Sequence, residues 1–269
     1  MPKRRQPPTS PTTPNHRQLL LNHLQTLKIG PVAQSLDALL AEAERAGWSY
    51  LEFAQRLLGD LAGQRRERTV ARRIAEARFA EVCTLDQFDW TFNPTIPRVQ
   101  IEELAGGDFI RRGANWILVG QSGVGKSFLV QAVGRSACVH GFRVRYTTSA
   151  ALLDDLAASL ADHTLAQCLR FYTGFDLLII DEFGFDRIER REHPESANLL
   201  YKVLDARHQK KATALATNVD FDHWGSYLGD PPLAMAFLDR LVDRSIILKI
   251  KGKSYRASRA GQSSNHPEA

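Results

Sequence analysis

Two rhythms of apolar positions divide the chain. From Leu19 to about Val82 the apolar residues recur at spacings of three and four: Leu20, Leu24 and Leu27, then Leu36, Leu39 and Leu40, then Leu51, Phe53, Ala54, Leu57, Leu58 and Leu61. Residues so spaced fall on one side of a helix, and the pattern predicts an all-helical module. Gly30 and Pro31 open a helix and Gly47 closes one. Ser49 followed by Glu52 has the spacing of a capping box. The stretch TFNPTIPRVQIEELAGGDFI, residues 91–110, interrupts this rhythm with two prolines and a glycine pair and reads as a link. Short β-rich runs follow, NWILV, RVRYTT, DLLII, TALAT and SIILKIK. They alternate with the helical stretches GKSFLVQAVGRSACVHG, SAALLDDLAASLA and SANLLYKVLDARHQ. Strands alternating with helices predict an α/β fold with a central parallel sheet sandwiched by helices.

The first strand passes directly into a glycine-rich turn and then a helix. Gly120, Gln121, Ser122, Gly123, Val124, Gly125, Lys126 and Ser127 spell GxxxxGK[ST] between them, and Phe128 follows. Glycines let the backbone turn its N–H groups inward around phosphate oxygens, and the start of the next helix adds the positive end of its dipole. In that setting Lys126 is expected to reach the β- and γ-phosphates of a nucleotide, and Ser127 to ligate Mg2+.

A second feature lies 55 residues beyond Lys126, in DLLIIDE. Four apolar residues in a row fit a strand buried on both faces. The two carboxylates after them fall at the carboxyl edge of the sheet, where such folds bind ligands. Asp181 is the expected metal-side acid and Glu182 the expected general base; alone, the pair reads equally well as a polar strand exit. TALATN ends in Asn218, placed either to touch a γ-phosphate or to make an Asx turn. Arg240, Arg244 and Arg256 each carry a planar fork suited to phosphate, though arginines more often lie on solvated helix faces.

Composition narrows the setting. The chain has 269 residues, 43% of them hydrophobic, enough for one sizeable core and a smaller module. Its 35 Lys and Arg against 30 Asp and Glu, with a pI near 9.2, leave a mild basic excess that admits a polyanionic partner without requiring one. Cys83, Cys138 and Cys168 are far apart and have no zinc-ligand spacing, which fits free thiols in a reducing cytoplasm. No apolar run approaches the roughly 18 residues of a membrane helix, so no membrane partner is expected. Residues 1–18, with five prolines in the first 15, read as a disordered basic tail. The expected organisation is then a helical domain over 19–92, a P-loop ATPase domain over 93–258 and a second disordered tail over 259–269.

At this point the residues resemble a known family. GQSGVGKSFLVQAVGRSACVHGFRVRY, DLLIIDEFG, ATNVDFDHWGSYLGD, LDRLV and IKGKSYR, in this order and spacing, resemble the IstB-type transposition helper ATPases, relatives of the DnaC and DnaA branch of the AAA+ proteins. The likeness covers roughly 19–258. Its phosphate-loop and acidic motifs are shared by many ATPases, while the TN…F..W, DRL and G.SYR segments narrow it. The resemblance implies an AAA+ P-loop fold, with Asn218 as the sensor-1 residue, Arg240 as an arginine finger acting on a neighbouring subunit and Arg256 as the sensor-2 arginine. Gln121 and Ser122, Ser127 and Phe183 depart from the family's usual residues without removing a required functional group.

The resemblance further implies an ATP- and Mg2+-dependent homo-oligomer, helical or ring-like, that forms on double-stranded DNA, remodels a target and stimulates a cognate transposase. A basic surface is then expected. QRRERTVARRIAEAR, residues 64–78, offers six arginines against two glutamates. Arg65, Arg68 and Arg72 share one helical face, with Arg66 and Arg73 beside it, and Val70, Ile74 and Ala77 lie on another. A solvated helix is the competing reading. A second basic candidate is KIKGKSYR, with Lys249, Lys251 and Lys253 alternating along a strand. The competing function is a DnaC-like replicative helicase loader. A small-molecule kinase is disfavoured, since no acceptor site is visible and Glu182 suits water activation.

Overall fold

The structure, a computed structural model, describes residues 15–27, 30–184, 195–255 and 257–258. Both expected tails fall mostly or wholly outside these residues, and Arg256 lies outside them. The chain forms two compact units, Met1–Thr69 and Val70–Ala269.

The first unit holds helices α1 (His16–Thr26) and α2 (Gly30–Ala46) and the start of α3 (Tyr50–Ala77). Leu24 and Leu36 are its buried centre, with Leu21, Phe53, Leu57 and Leu61 packed around them, so part of the expected apolar set meets, while Leu20, Leu27, Leu40, Leu51 and Leu58 are exposed. Arg17 pairs with Asp37 from α1 to α2 through two parallel hydrogen bonds. Gly47 ends α2 at φ +63°. The capping box at α3 is complete: Ser49 N–H donates to Glu52 Oε2 at 2.8 Å and Glu52 N–H donates to Ser49 Oγ at 3.2 Å.

The second unit is built on five parallel strands: β1 (Asn115–Gly120), β2 (Val144–Thr148), β3 (Leu177–Phe183), β4 (Ala212–Thr217) and β5 (Ser245–Ile250). Their order is β2-β3-β4-β1-β5. Side chains alternate between the faces along each strand. Trp116, Leu118, Leu177, Ile179, Ala214 and Ile250 enter one core with α6 (Lys126–Val139), α4 (Arg98–Ala105) and α5 (Asp108–Arg111). Ile117, Val119, Leu178, Ile180 and Leu215 enter the other. That second face is covered by α7 (Ser149–Ala161), α8 (Leu165–Thr173), α9 (Ser196–Arg207), α10 (Trp224–Leu228) and α11 (Pro231–Val242).

The stretch expected only to link the two parts forms α4 and α5. Its punctuation marks helix ends rather than a loop: α4 starts directly after Pro97, and the pair Gly106–Gly107 separates the two helices. Ala77, Ile74, Phe79, Phe88 and Trp90 pack in the core on the α6 face. Asn115, buried at the start of β1, ties the sheet to α11. Its Nδ2 donates to the carbonyls of Arg240 and Leu241 at 3.2 and 3.0 Å, and its Oδ1 accepts from Thr213 N–H at 3.0 Å.

Candidate functional site

The glycine-rich turn joins β1 to α6 at the carboxyl edge of the sheet. Gly123 and Gly125 sit at φ +80° and +100°, where a side chain would be strained. Gly123 has a second reason to lack a side chain, because a Cβ there would fall 2.1 Å from Ser254 Oγ. The segment after β5 thus lies against the loop, and Tyr255 N–H donates to the Gly123 carbonyl at 2.9 Å. Asn93 and Thr95 hold that segment from the other side, donating to the Lys251 carbonyl at 3.0 and 2.8 Å. Lys126 is buried in the first turn of α6, and its Nζ donates to the carbonyls of Gly120 and Gln121 at 2.7 and 2.8 Å. Those two residues therefore orient the lysine from behind, while Ser122 to Phe128 face the cleft.

Opposite the loop, β3 carries its acids into the strand's last residues rather than past its end. Its pairing with β4 becomes irregular between Ile180 and Phe183, and Glu182 takes φ +58°. This kink separates the two carboxylates: Asp181 is 1% exposed, whereas Glu182 is exposed. Asp181 Oδ1 accepts from Glu182 N–H at 2.8 Å and Oδ2 accepts from the Tyr146 hydroxyl at 3.0 Å. Burial, reinforced by the charge of Asp181, pushes the Tyr146 phenol far above its ordinary pKa and keeps it a neutral donor. Asn218 follows the end of β4 beside this kink. Its Oδ1 would lie 2.9 Å from a Cβ on Gly184, and the turn is made by Thr217, whose Oγ1 accepts from Val219 N–H at 3.0 Å. Trp224 anchors that turn from below. It is fully buried, donates to the Val219 carbonyl at 3.1 Å and packs on Phe183 and Phe237.

Loop and acids share one cleft of about 470 Å3. Its remaining wall went unread in the sequence: Phe88, Phe92 and Tyr255, with Glu81, Gln87 and Asp89 at the polar side. Phe88 packs on Phe128 at 5.4 Å between ring centroids and Phe92 meets Tyr255 edge-on at 4.9 Å, forming an aromatic surface beside the glycine-rich loop. Three aromatics in the six residues QFDWTF, with no helical period, were the available signal.

The other expected site residues lie elsewhere. Arg240 on α11 is outside the cleft lining, where it donates to Asp205 and Asp239, each at 2.8 Å. Arg244 is exposed just before β5. Arg65, Arg66, Arg68 and Arg72 are exposed on α3, Arg72 near Glu76 at 3.8 Å, and Arg73 is half-buried. Of the three lysines expected along a strand, only Lys249 is on one, because β5 stops at Ile250. Lys249 pairs with Asp220 at 3.0 Å.

Ser127 and Asp181 supply a hydroxyl and a carboxylate, hard oxygen donors that fit Mg2+. Among the described residues no group of three or more His, Cys, Asp or Glu is placed to hold a metal ion. A magnesium ion here would therefore complete its shell from phosphate and water, its usual preference. Among the described residues no helix is long and apolar enough to cross a membrane.

Residues 22–263 match the family described as IstB-like ATP binding protein. The chain is 36% identical over 233 residues to a protein of insertion sequence IS21 from Pseudomonas aeruginosa named for ATP binding, covering 87% of this chain and 86% of that one. A similarly named insertion-sequence protein from Mycobacterium tuberculosis is 34% identical, covering 88% and 93%. Among solved structures, AMPPCP-bound DnaA from Aquifex aeolicus superposes with a TM-score of 0.52 at 19% identity, over 71% of this chain and 58% of that one. DnaI gives 0.52 at 18%, over 63% and 91%. Both share the fold.

Proposed function

Because the chain belongs to the IstB-like ATP-binding proteins, we propose that it is the Mg2+-dependent ATPase of an insertion sequence, acting in the cytoplasm as a homo-oligomer on double-stranded DNA to prepare a target for its cognate transposase. The observation that carries this reading is the convergence in one cleft of the loop from Ser122 to Phe128, buried Lys126, the acids Asp181 and Glu182, and an aromatic wall. Backbone N–H groups of the loop and the start of α6 hold the phosphates. Lys126 exchanges its carbonyl partners for phosphate oxygens, and Phe88, Phe92 and Tyr255 bracket the base. When bound at Ser127 and Asp181, Mg2+ supplies positive charge against the charge developing on the transferred phosphoryl group. Glu182, exposed by the kink in β3, takes the proton of the attacking water. Asn218, adjacent to that kink, senses the γ-phosphate, and Arg256 is assigned to the same phosphate.

Arg65, Arg66, Arg68, Arg72 and Arg73 are proposed to follow the DNA backbone without reading bases. Relatives named for insertion sequences favour target selection in transposition over helicase loading. The test is a pair of variants. Lys126→Ala is expected to lose nucleotide binding and ATP-dependent assembly on duplex DNA. Glu182→Gln is expected to bind ATP normally while turnover falls by about 10²- to 10⁴-fold, trapping the DNA-bound form. Normal assembly of the first variant, or undiminished hydrolysis by the second, removes the assigned role.

A further inference from the structure

We propose that Tyr146 is a positioning residue that fixes the orientation of the Asp181 carboxylate for Mg2+, an inference that rests on reading Asp181 as the metal-side acid. Register and alternation bring the two together. Tyr146 on β2 stands opposite Ile179 on β3, and Asp181 lies two residues further along, on the same face of the sheet. A long aromatic side chain reaches such a diagonal neighbour, and the phenol hydroxyl donates to Asp181 Oδ2 at 3.0 Å. The backbone N–H of Glu182 holds Oδ1 at 2.8 Å. Each carboxylate oxygen thus has one donor fixed by the sheet and keeps a lone pair for another partner.

The phenol ring is itself held. Tyr146 is 8% exposed and packs near Phe79, with 6.3 Å between ring centroids, and Phe79 presses on α6 at Gly134. Among the described residues, the other neighbours of Tyr146 in the core on the α6 face are apolar. Within the same residues, the hydroxyl's hydrogen-bond partner is Asp181. Without it, Oδ2 has no hydrogen-bond donor among the described residues, and the carboxylate can turn about its terminal bond. Partners that orient a metal's ligands contribute to affinity for the metal in this way.

The experiment uses the full chain and a fluorescent ATP analogue, titrated in EDTA and over a series of Mg2+ concentrations, for the wild type, Tyr146→Phe and Tyr146→Leu. Phe keeps the ring and removes the donor; Leu removes both. The expected result is unchanged analogue affinity in EDTA for the Phe variant, with about tenfold more Mg2+ needed for half-maximal effect. In turnover assays the KM for ATP at saturating Mg2+ stays at the wild-type value. Wild-type Mg2+ dependence in the Phe variant overturns the inference, and a defect confined to the Leu variant overturns it too, by making the ring the important part. If the wild type itself binds the analogue without responding to Mg2+, the reading of Asp181 falls and takes this inference with it, which is a distinguishable outcome.

Discussion

A guanidinium sealed from water has to find its partners in the backbone, and Arg207 at the end of α9 does so. Its Nη1 donates to the carbonyls of Tyr172 and Phe175 at 2.7 and 3.0 Å, its Nη2 to that of Ala212, and its Nε to Thr213 Oγ1 at 3.2 Å. One side chain therefore joins the end of α8 to the starts of β3 and β4. Burial pulls its pKa down to about 9, with the charge of Asp176 acting the other way, so it stays protonated at neutral pH. Arg207→Met fills much of the volume but strands three carbonyls. Removing one side of a buried charged network costs about 3–5 kcal/mol. At about 2–4 °C per kcal/mol for a chain of this size, the melting temperature should fall by roughly 10 °C. Nucleotide affinity below the transition should not change, because Arg207 lies outside the cleft lining. A melting temperature within a degree or two of wild type would mean that these carbonyls find other donors.

At the scale of elements, α6 shows how a local preference loses to packing. Gly134 lies inside this helix, where alanine would ordinarily stabilise by about 1 kcal/mol. Here a Cβ would stand 2.5 Å from Ile179 Cδ1 and 2.9 Å from the Phe79 ring. Overpacking a filled core costs about 1–3 kcal/mol, so Gly134→Ala is expected to lower the midpoint of denaturant unfolding; a raised midpoint would show that Phe79 moves aside freely. The same contrast decides what could be read from the sequence. The central strands β1 and β3 were legible because strands buried on both faces leave continuous apolar runs, and α7 because its thirteen residues match the expected stretch end to end. The glycine-rich turn and the two acids that share the cleft stand out in the sequence because each is a local pattern at a strand's end. The aromatic wall was not: Phe92 and Tyr255 become neighbours only when β5 returns beside β1 and its following segment crosses the loop. Nor was the bond from Tyr146 to Asp181, which depends on the register of β2 against β3 rather than on any motif.

At the scale of the whole molecule, Arg240 bears on the proposed homo-oligomer. Within its own chain it is bound to Asp205 and Asp239, which raise its pKa, Asp205 foremost. It does not line the cleft of that chain. On the proposed assembly, Arg240 would act on phosphate in a neighbouring copy, after exchanging these carboxylates for it. A mixing experiment separates this from a purely structural ion pair. Arg240→Ala subunits keep Lys126 and Lys126→Ala subunits keep Arg240, so each protein alone should hydrolyse ATP poorly. In an equal mixture, about a quarter of the interfaces combine an intact cleft with an intact arginine from the neighbour, and hydrolysis should recover toward that fraction of the wild-type rate. Steady-state turnover measured across mixing ratios should then peak near equal proportions. If Arg240 only braces α11 against α9, turnover at every ratio lies on the straight line between the two poor single-variant rates, with no peak.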